Sequence, residues 1–389
     1  MTPETRKLVE DIKRRPISAI AATRTALKKS GSAKFTGRCP LHTEKTPSFH
    51  VNDDKGTFKC YGCTKSGDAI QFLMLIDNLP FMEAVNYAAA FFGLAADKAG
   101  VRKKEYAPMP PAETPEEEQA RRRKDIEKAR AIWQQGKCAD GTIVEKYLAQ
   151  RRIRIDMLPG GIIPPSLRYH PALEYWYQSG PAGKRARPQL LGKFPAMIAP
   201  LQAYDGAQMG LHITYIDPAN AGKLKRQSPD DASIALPAKK MIGTSWACCI
   251  RLGKPQEYMS GSEGIENGLS AMCCGAPPAL VAASLGNIAG RGIGEGLPHP
   301  RRLDKKLPAP YPDPNSVDFM PPPPVKRWLL IRDNDSKDQE SADVLFERGM
   351  QRVSTRGIEV EDFIPNKGMD MNDMLRRGLL KYLPCKDFT

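Results

Sequence analysis

The sequence predicts an α+β multidomain chain. It has an N-terminal cysteine-anchored ribbon with helices, a mixed α/β middle region, and a C-terminal α/β domain on a Rossmann-like parallel sheet. Three observations carry this prediction. Cys39-x2-His42 and Cys60-x2-Cys63 form two ligand pairs seventeen residues apart. Residues 257–389 alternate apolar strand, glycine-rich turn and helix, the pattern of a layered α/β domain. Between these blocks, Pro108, Pro110, Pro111 and Pro115, then an acidic run (Glu116–Glu118) and a basic run (Arg121–Lys124), mark a linker.

At ~100–200 residues per domain, a chain of 389 residues holds two to three domains. The expected divisions are 1–100 (ribbon), 101–136 (charged linker and helix), 137–250 (middle region) and 251–389 (C-terminal sheet). The net charge of +14 favours a polyanion such as nucleic acid, because cationic surfaces gain from releasing condensed counterions. The alternative is a generally basic protein. Met1–Arg15 is charged and lacks the apolar core of a secretory leader. No stretch approaches the ~20 apolar residues of a membrane span, so no membrane partner is expected. Nine cysteines without a disulfide-framework spacing fit a reducing cytoplasm.

The elements follow in order. Residues 4–15 read as a short charged helix stopped by Pro16, and 17–29 as a second helix with Ile17, Ile20, Ala21 and Leu27 on one face. Ser48–Val51 and Thr57–Lys59 alternate as short strands around an Asn52–Gly56 turn. Asp68 suits an N-cap, and the apolar positions from Ile70 to Phe92 supply two helices ending at Gly93. A solvated helix runs to Trp133, Leu211–Ile216 is the clearest strand of the middle region, and 290–324 reads as an inserted proline-rich loop.

Three thiolates and one imidazole on short knuckles can close a tetrahedron around zinc, so Cys39, His42, Cys60 and Cys63 are the expected ligands. Four protein ligands leave no open position, which makes the ion structural. His50 is a competing imidazole, but it lies mid-strand and off the knuckle. The string Cys39-Pro-Leu-His42-Thr-Glu-Lys45-Thr-Pro-Ser-Phe49, then Phe58-Lys-Cys60-Tyr-Gly-Cys63, then Gly67-Asp68 and Phe72, closely resembles the zinc-binding domain of bacterial DNA primases. The resemblance covers about residues 15–95 and implies a domain that engages template DNA. Lys34, Arg38, Lys45, Lys55, Lys59 and Lys65, with Phe49, Phe58 and Tyr61 interleaved, would suit phosphate contacts and base stacking. Phe49 and Phe58 are expected in the ribbon core; Tyr61 suits either role.

Three acidic motifs lie in the C-terminal block. They are Ser262-Glu263-Gly264 at a strand end, Leu329-Leu-Ile-Arg-Asp333-Asn-Asp335 at another, and Gly368-Met-Asp370-Met-Asn372-Asp373. The carboxyl ends of neighbouring parallel strands meet at one crevice. Carboxylates gathered there repel one another unless a cation sits among them, and an oxygen-only ligand set suits Mg²⁺ or Mn²⁺. Asp370 and Asp373 could equally cap a helix. Together the motifs resemble the Toprim domain shared by primases, topoisomerases and some nucleases. The resemblance implies an acid–base or metal-binding role for Glu263 and metal binding by Asp333 and Asp335, with Asp370 as a further member. Ala283-Ser-Leu-Gly286-Asn287 resembles the turn after the second Toprim strand. Glu266 is expected at an outward helix position, and the pairs Cys248-Cys249 and Cys273-Cys274 are expected as free thiols.

Leu167-Arg-Tyr-His-Pro171 and Gly210-Leu-His-Ile-Thr-Tyr-Ile-Asp217 look like the corresponding region of phage- and plasmid-borne Toprim primases. Lys184, Arg185, Arg187, Lys223, Lys225 and Arg226 could line a path for template or nucleotide; a solvated loop is the alternative for the first three. The resemblances imply a DNA primase of a phage, plasmid or other mobile element. Such an enzyme makes short RNA primers on single-stranded DNA from ribonucleoside triphosphates by metal-dependent nucleotidyl transfer, with structural Zn²⁺, catalytic Mg²⁺ or Mn²⁺, and a separate replicative helicase as partner. A Toprim nuclease and a non-catalytic single-stranded-DNA-binding accessory are the alternatives.

Overall fold

The computed structural model describes residues 3–41, 47–61, 63, 65–77, 79–94, 115–179, 187–230, 232–302, 306–380 and 382–383. The chain divides into two units: Met1–Thr114 with Trp176–Leu191, and Pro115–Tyr175 with Gly192–Thr389. Among the described residues, no helix is long and apolar enough to cross a membrane.

In the first unit, helices α1 (Pro3–Lys13) and α2 (Ile17–Ala21) precede a five-stranded antiparallel sheet. Its strands are β1 (Leu27–Lys29), β2 (Lys34–Gly37), β3 (Phe49–Asn52), β4 (Thr57–Cys60) and β5 (Ser66–Gly67), in chain order. The second helix is shorter than the apolar spacing predicts. Leu27–Lys29 is a strand pairing with Phe35–Gly37, and the Thr25 hydroxyl donates to the Arg38 carbonyl at 2.7 Å, which turns the chain out of the helix. Tertiary pairing here overrides a weak local periodicity.

The register fixes two faces, since alternate strand residues point opposite ways. Phe35, Val51 and Phe58 pair on the core side, where Phe49, Phe58 and Phe72 cluster with ring centroids 5.3–5.7 Å apart. Lys28, Thr36, His50 and Lys59 pair on the open side. Gly56 closes the hairpin with φ +60°, and a Cβ there would meet the Lys13 carbonyl at 2.8 Å. Helices α3 (Ala69–Asp77) and α4 (Phe81–Phe91) cover the core side. Asp68 caps α3, its carboxylate accepting the Gln71 N–H at 2.9 Å.

The second unit opens with α5 (Pro115–Gln135), β6 (Lys137–Cys138) and α6 (Ile143–Gln150). Then come β7 (Arg168–Ser179) and β8 (Arg187–Gln202), of which Trp176–Ser179 and Arg187–Leu191 are counted with the first unit, β9 (Gln208–Tyr215), a small pair β10 (Arg226–Gln227) and β11 (Ala235–Leu236), and β12 (Lys239–Gly243). An antiparallel sheet runs β12-β9-β8-β7-β6. Helix α5 packs along β9 and β12, with Ala129 fully buried and Arg130 bonded to the Gln208 carbonyl. Only part of its surface is therefore solvated.

The C-terminal region contains β13 (Ile250–Arg251), β14 (Tyr258–Ser262), α7 (Ile265–Cys273), β15 (Ala279–Val281) and α8 (Leu285–Ala289). After a short pair, β16 (Gly292–Ile293) and β17 (Tyr311–Pro312), it continues with β18 (Arg327–Ile331), α9 (Gln339–Ser354), β19 (Glu359–Phe363) and α10 (Met371–Arg376). The sheet order is β13-β15-β14-β18-β19, with β13 an antiparallel edge and the other four strands parallel. This is the parallel α/β sheet the sequence predicts. From β14 the chain winds first to β15 on one side and later to β18 on the other, so the topological switch point lies between β14 and β18. Gly261 permits that pairing, because a Cβ there would fall 2.3 Å from the Trp328 indole.

Gly290 and Ala309 of the proline-rich segment are held on α9, as is Ile288 just before it. Buried Arg348 donates to the carbonyls of Ala309 (2.6 Å) and Gly290 (2.7 Å), and Arg352 to that of Ile288 (2.8 Å). Arg332, at the end of β18, ion-pairs with Asp343, Glu347 and Asp362 at 2.7–3.0 Å and so locks α9 and β19 to β18.

Candidate functional site

The ribbon brings Cys39, Cys60 and Cys63 together, with their sulfurs within 4.8 Å of one another. Tetrahedral geometry with Zn–S bonds of ~2.3 Å sets the S···S edge at ~3.8 Å, and Cys39 and Cys63 are 3.8 Å apart. The knuckle backbones already face the sulfurs: the Leu41 N–H donates to Cys39 at 3.4 Å and the Cys63 N–H to Cys60 at 3.3 Å. Burial raises the Cys39 thiol pKa. At Cys60 burial is outweighed by the Ser48 hydroxyl and the Cys63 N–H, and the pKa is lowered. These residues fit a structural zinc ion. His42, the expected fourth ligand, lies outside the described residues, as does Lys45. His50 is exposed on the open face with its ring edge-on to Tyr61 at 4.8 Å.

Tyr61 is 63% exposed, so it is not part of the ribbon core. Lys59 lies over its ring at 5.1 Å. Lys34 and Lys59 are exposed and Arg38 half-buried. The open face therefore presents lysines beside an accessible aromatic ring.

In the second unit, Glu263 follows β14 and Asp333 follows β18, on either side of the switch point. The Asn334 backbone N–H bonds to the Met369 carbonyl, and its side-chain amide to that of Pro365 at 2.8 Å, which draws the third motif against the second. The electrostatics register the convergence. Burial raises the Asp333 pKa to about 7, with the charges of Glu263, Asp370 and Asp335 adding to it and an Asn267 amide bond at 2.7 Å opposing it. Burial also raises Glu263, helped by Asp335 and opposed by the Leu285 N–H and Lys239. Asp370 is raised as well, chiefly by burial. Its carboxylate also N-caps α10 through the Asp373 N–H at 2.7 Å. Asp373 points toward Arg376 instead. The four carboxylates sense one another without any three having ligand oxygens within 4.8 Å. Such a like-charged, open cluster fits a divalent cation with oxygen ligands and room for phosphate and water.

Several partners have no signal in the motifs. Asn267 accepts the Asn372 N–H at 3.1 Å while donating to Asp333; Asn372 in turn bonds Ser270 and the Arg151 carbonyl, both at 2.9 Å. The only hint in the chain is the i, i+4 spacing of Glu263 and Asn267. Glu266 is not outward: it is 5% exposed, on the face of α7 that meets the middle sheet. Tyr147 donates to it at 2.6 Å and Lys239 at 2.8 Å. The expected basic trio divides accordingly. Lys223 turns in toward Glu266 at 3.7 Å, whereas Lys225 and Arg226 are exposed, Arg226 lying over the Phe194 ring. Of the other basic group, Lys184 and Arg185 lie outside the described residues. Cys248 and Cys273 enter one core cluster, and Cys249 and Cys274 two others.

A second ligand-like group is His299, Asp338 and Glu340. Its hydrogen bonds explain it without an ion. His299 Nδ1 accepts the N–H groups of Arg301 and Arg302, both at 3.1 Å, so the proton sits on Nε2, which donates to Asp338 at 2.9 Å. A metal on Nε2 would demand a proton on Nδ1, where two donors already point.

Residues 4–104 match the family model of the CHC2 zinc finger, and residues 123–252 match a domain of unknown function, DUF7146. The chain is 44% identical over 79 residues to a DNA primase of Streptomyces coelicolor, covering 20% of this chain and 12% of that protein. It is 38% identical over 106 residues to a DNA primase of Lactococcus lactis, covering 27% and 16%. The matched segments thus span less than a fifth of those primases. Among solved structures, the zinc-binding and RNA polymerase domains of the Aquifex aeolicus primase align over 95% of this chain and 82% of theirs, at 15% identity and a TM-score of 0.32. The primase fragment of the bacteriophage T7 primase-helicase aligns over 86% and 91%, at 11% identity and a TM-score of 0.28. The first hundred residues of this chain are a zinc ribbon of the CHC2 class found in DNA primases.

Proposed function

We propose that this chain is a DNA primase, using ribonucleoside triphosphates to lay short RNA primers on single-stranded DNA. One observation carries the reading. Glu263 and Asp333 flank the switch point of a parallel sheet, joined by Asp335 and Asp370, in a chain that opens with a CHC2 ribbon. Mg²⁺ or Mn²⁺ held by Glu263, Asp333, Asp335 and Asp370 would supply charge neutralisation and Lewis acidity for nucleotidyl transfer. Asn267 orients Asp333, and the Leu285 N–H orients Glu263, which serves as a base or as a further ligand. Lys239, whose charge Glu263 feels, and Lys223, which shares the Glu266 carboxylate with it, serve as phosphate contacts. Lys34, Arg38, Lys45, Lys59 and Tyr61 of the ribbon, with Lys225 and Arg226, hold the template by phosphate contact and stacking. The net charge of +14 serves the same end. We place the protein in the cytoplasm, encoded by a phage, plasmid or similar element and working with a separate helicase.

The test is incorporation of labelled ribonucleotides on single-stranded DNA, with and without added Mg²⁺. The expected result is metal-dependent primers, reduced at least 100-fold in Glu263→Gln and Asp333→Asn. Wild-type synthesis in both variants sinks the site assignment. Cleavage of the DNA without nucleotides indicates a nuclease, and binding with neither activity indicates an accessory protein.

A further inference from the structure

Glu266 is a carboxylate buried in the interior of the second unit. It sits in the first turn of α7 between Ile265 and Leu269, both of which belong to the core shared by the middle region and the C-terminal sheet. Burial opposes its ionisation. The charges of Lys239 and Lys223 and the bonds from Lys239 and Tyr147 outweigh that penalty and hold the carboxylate far below the usual range. Replacing a buried ion cluster by apolar groups is often neutral or stabilising, so such a cluster is weak evidence of a stability role.

The arrangement has a direction. The Glu266 side chain is 7% exposed, whereas those of Lys223 and Lys239 are 37% and 35% exposed. The anion lies beneath and the cations above it. Two ammonium groups on one carboxylate leave a surplus of one positive charge. That surplus sits over the first turn of α7, three residues on from Glu263, whose carboxyl feels the charge of Lys239. The cations come from separate places, Lys223 from the loop after β9 and Lys239 from the start of β12, and neither backbone by itself fixes where a four-carbon side chain ends. His212, buried on the adjacent strand, is held neutral by burial and by both lysines, with its pKa at about 4, so it adds no third charge.

We propose that Glu266 is a positioning residue: from beneath, it fixes the Lys223 and Lys239 ammonium groups beside the four-carboxylate cluster, facing the phosphates of the incoming nucleoside triphosphate. The identity of that anion rests on the primase reading; the positioning of the two cations does not.

The experiment compares Glu266→Gln, Lys239→Met and the double variant in the full chain. Two readouts are used: the dissociation constant of labelled ATP or GTP with Mg²⁺ and no template, and KM and kcat for ribonucleotide incorporation. Each single variant is expected to raise the dissociation constant and KM about tenfold, roughly 1.4 kcal/mol, with kcat within about threefold. The double variant is expected to exceed Lys239→Met by less than the full Glu266→Gln effect, because one of the two contacts made by Glu266 is already gone and only the anchoring of Lys223 remains to be lost. Unchanged triphosphate binding in Glu266→Gln overturns the proposal, as does full additivity in the double variant. If Glu266→Gln fails to fold, Tyr147→Phe decides, since it removes one bond to the same carboxylate. It is expected to raise KM several-fold, and an unchanged KM overturns the proposal. A wild-type protein that incorporates nothing defeats the primase reading, while the triphosphate dissociation constants still judge Glu266.

Discussion

Replacing Asp333 by Asn should stabilise the metal-free protein while destroying its proposed activity. In the folded chain burial, with the charges of Glu263, Asp370 and Asp335, lifts the Asp333 pKa from the ordinary 3.8 to about 7. A raised carboxyl pKa means that the folded state binds the proton more tightly than the unfolded chain does. The benefit of that proton is complete below pH ~4, is lost progressively as the pH climbs, and is gone above about 7. At ~1.36 kcal/mol per pH unit, three units amount to about 4 kcal/mol of native-state strain at pH 8. Screening at a partly exposed carboxylate cuts this to roughly 2 kcal/mol. Asn is neutral at every pH, and its carbonyl still accepts the bond from Asn267. Thermal unfolding of the second unit, followed at pH 8 without added Mg²⁺ or Mn²⁺, should therefore shift up by ~4–8 °C in Asp333→Asn. The gap should shrink steadily from pH 7 toward pH 4. Added Mg²⁺ should raise the melting temperature of the wild type more than that of the variant. No gap at pH 8, or one independent of pH, would refute the picture of four carboxylates strained against one another.

Three further variants concern the ribbon. Cys60→Ala should lose one equivalent of zinc, measured with a colorimetric chelator after denaturation. It should also melt the ribbon early by far-UV circular dichroism, because structural zinc contributes ~10–16 kcal/mol against a total stability of ~5–15 kcal/mol; full zinc content and a wild-type melt would count against the site. Tyr61→Ala should weaken binding to single-stranded DNA by about 1–3 kcal/mol. Lys59→Ala should lower the salt dependence of binding by about one phosphate contact. Fluorescence titrations at two salt concentrations would show whether the open face touches nucleic acid.

The three cysteines of the knuckles, the parallel sheet and the acidic residues at its strand ends were legible in the chain, because short-range rules dictate them. Cys-x2-Cys on a turn can place two sulfurs toward one point whatever lies beyond, and an apolar strand ending in Asp-x-Asp puts its carboxylates at a strand mouth. Alternation likewise assigned Phe49 and Phe58 to the ribbon core. Other features were settled by contacts between residues far apart. Leu27–Lys29 carried helical spacing but became a strand, because its partner was Phe35–Gly37. Glu266 looked like a solvated helix position, since helical periodicity says nothing about what packs opposite. The tertiary fold brings Tyr147, 119 residues earlier, and Lys239, 27 residues earlier, onto its carboxylate and buries it. Asn267 met Asp333 for the same reason, across 66 residues. The sequence by itself determined which residues can do chemistry and on which strand ends and knuckles they stand. The tertiary structure decided which of them face one another and which cations stand beside them, because burial and Coulomb forces depend on distances that no local pattern encodes.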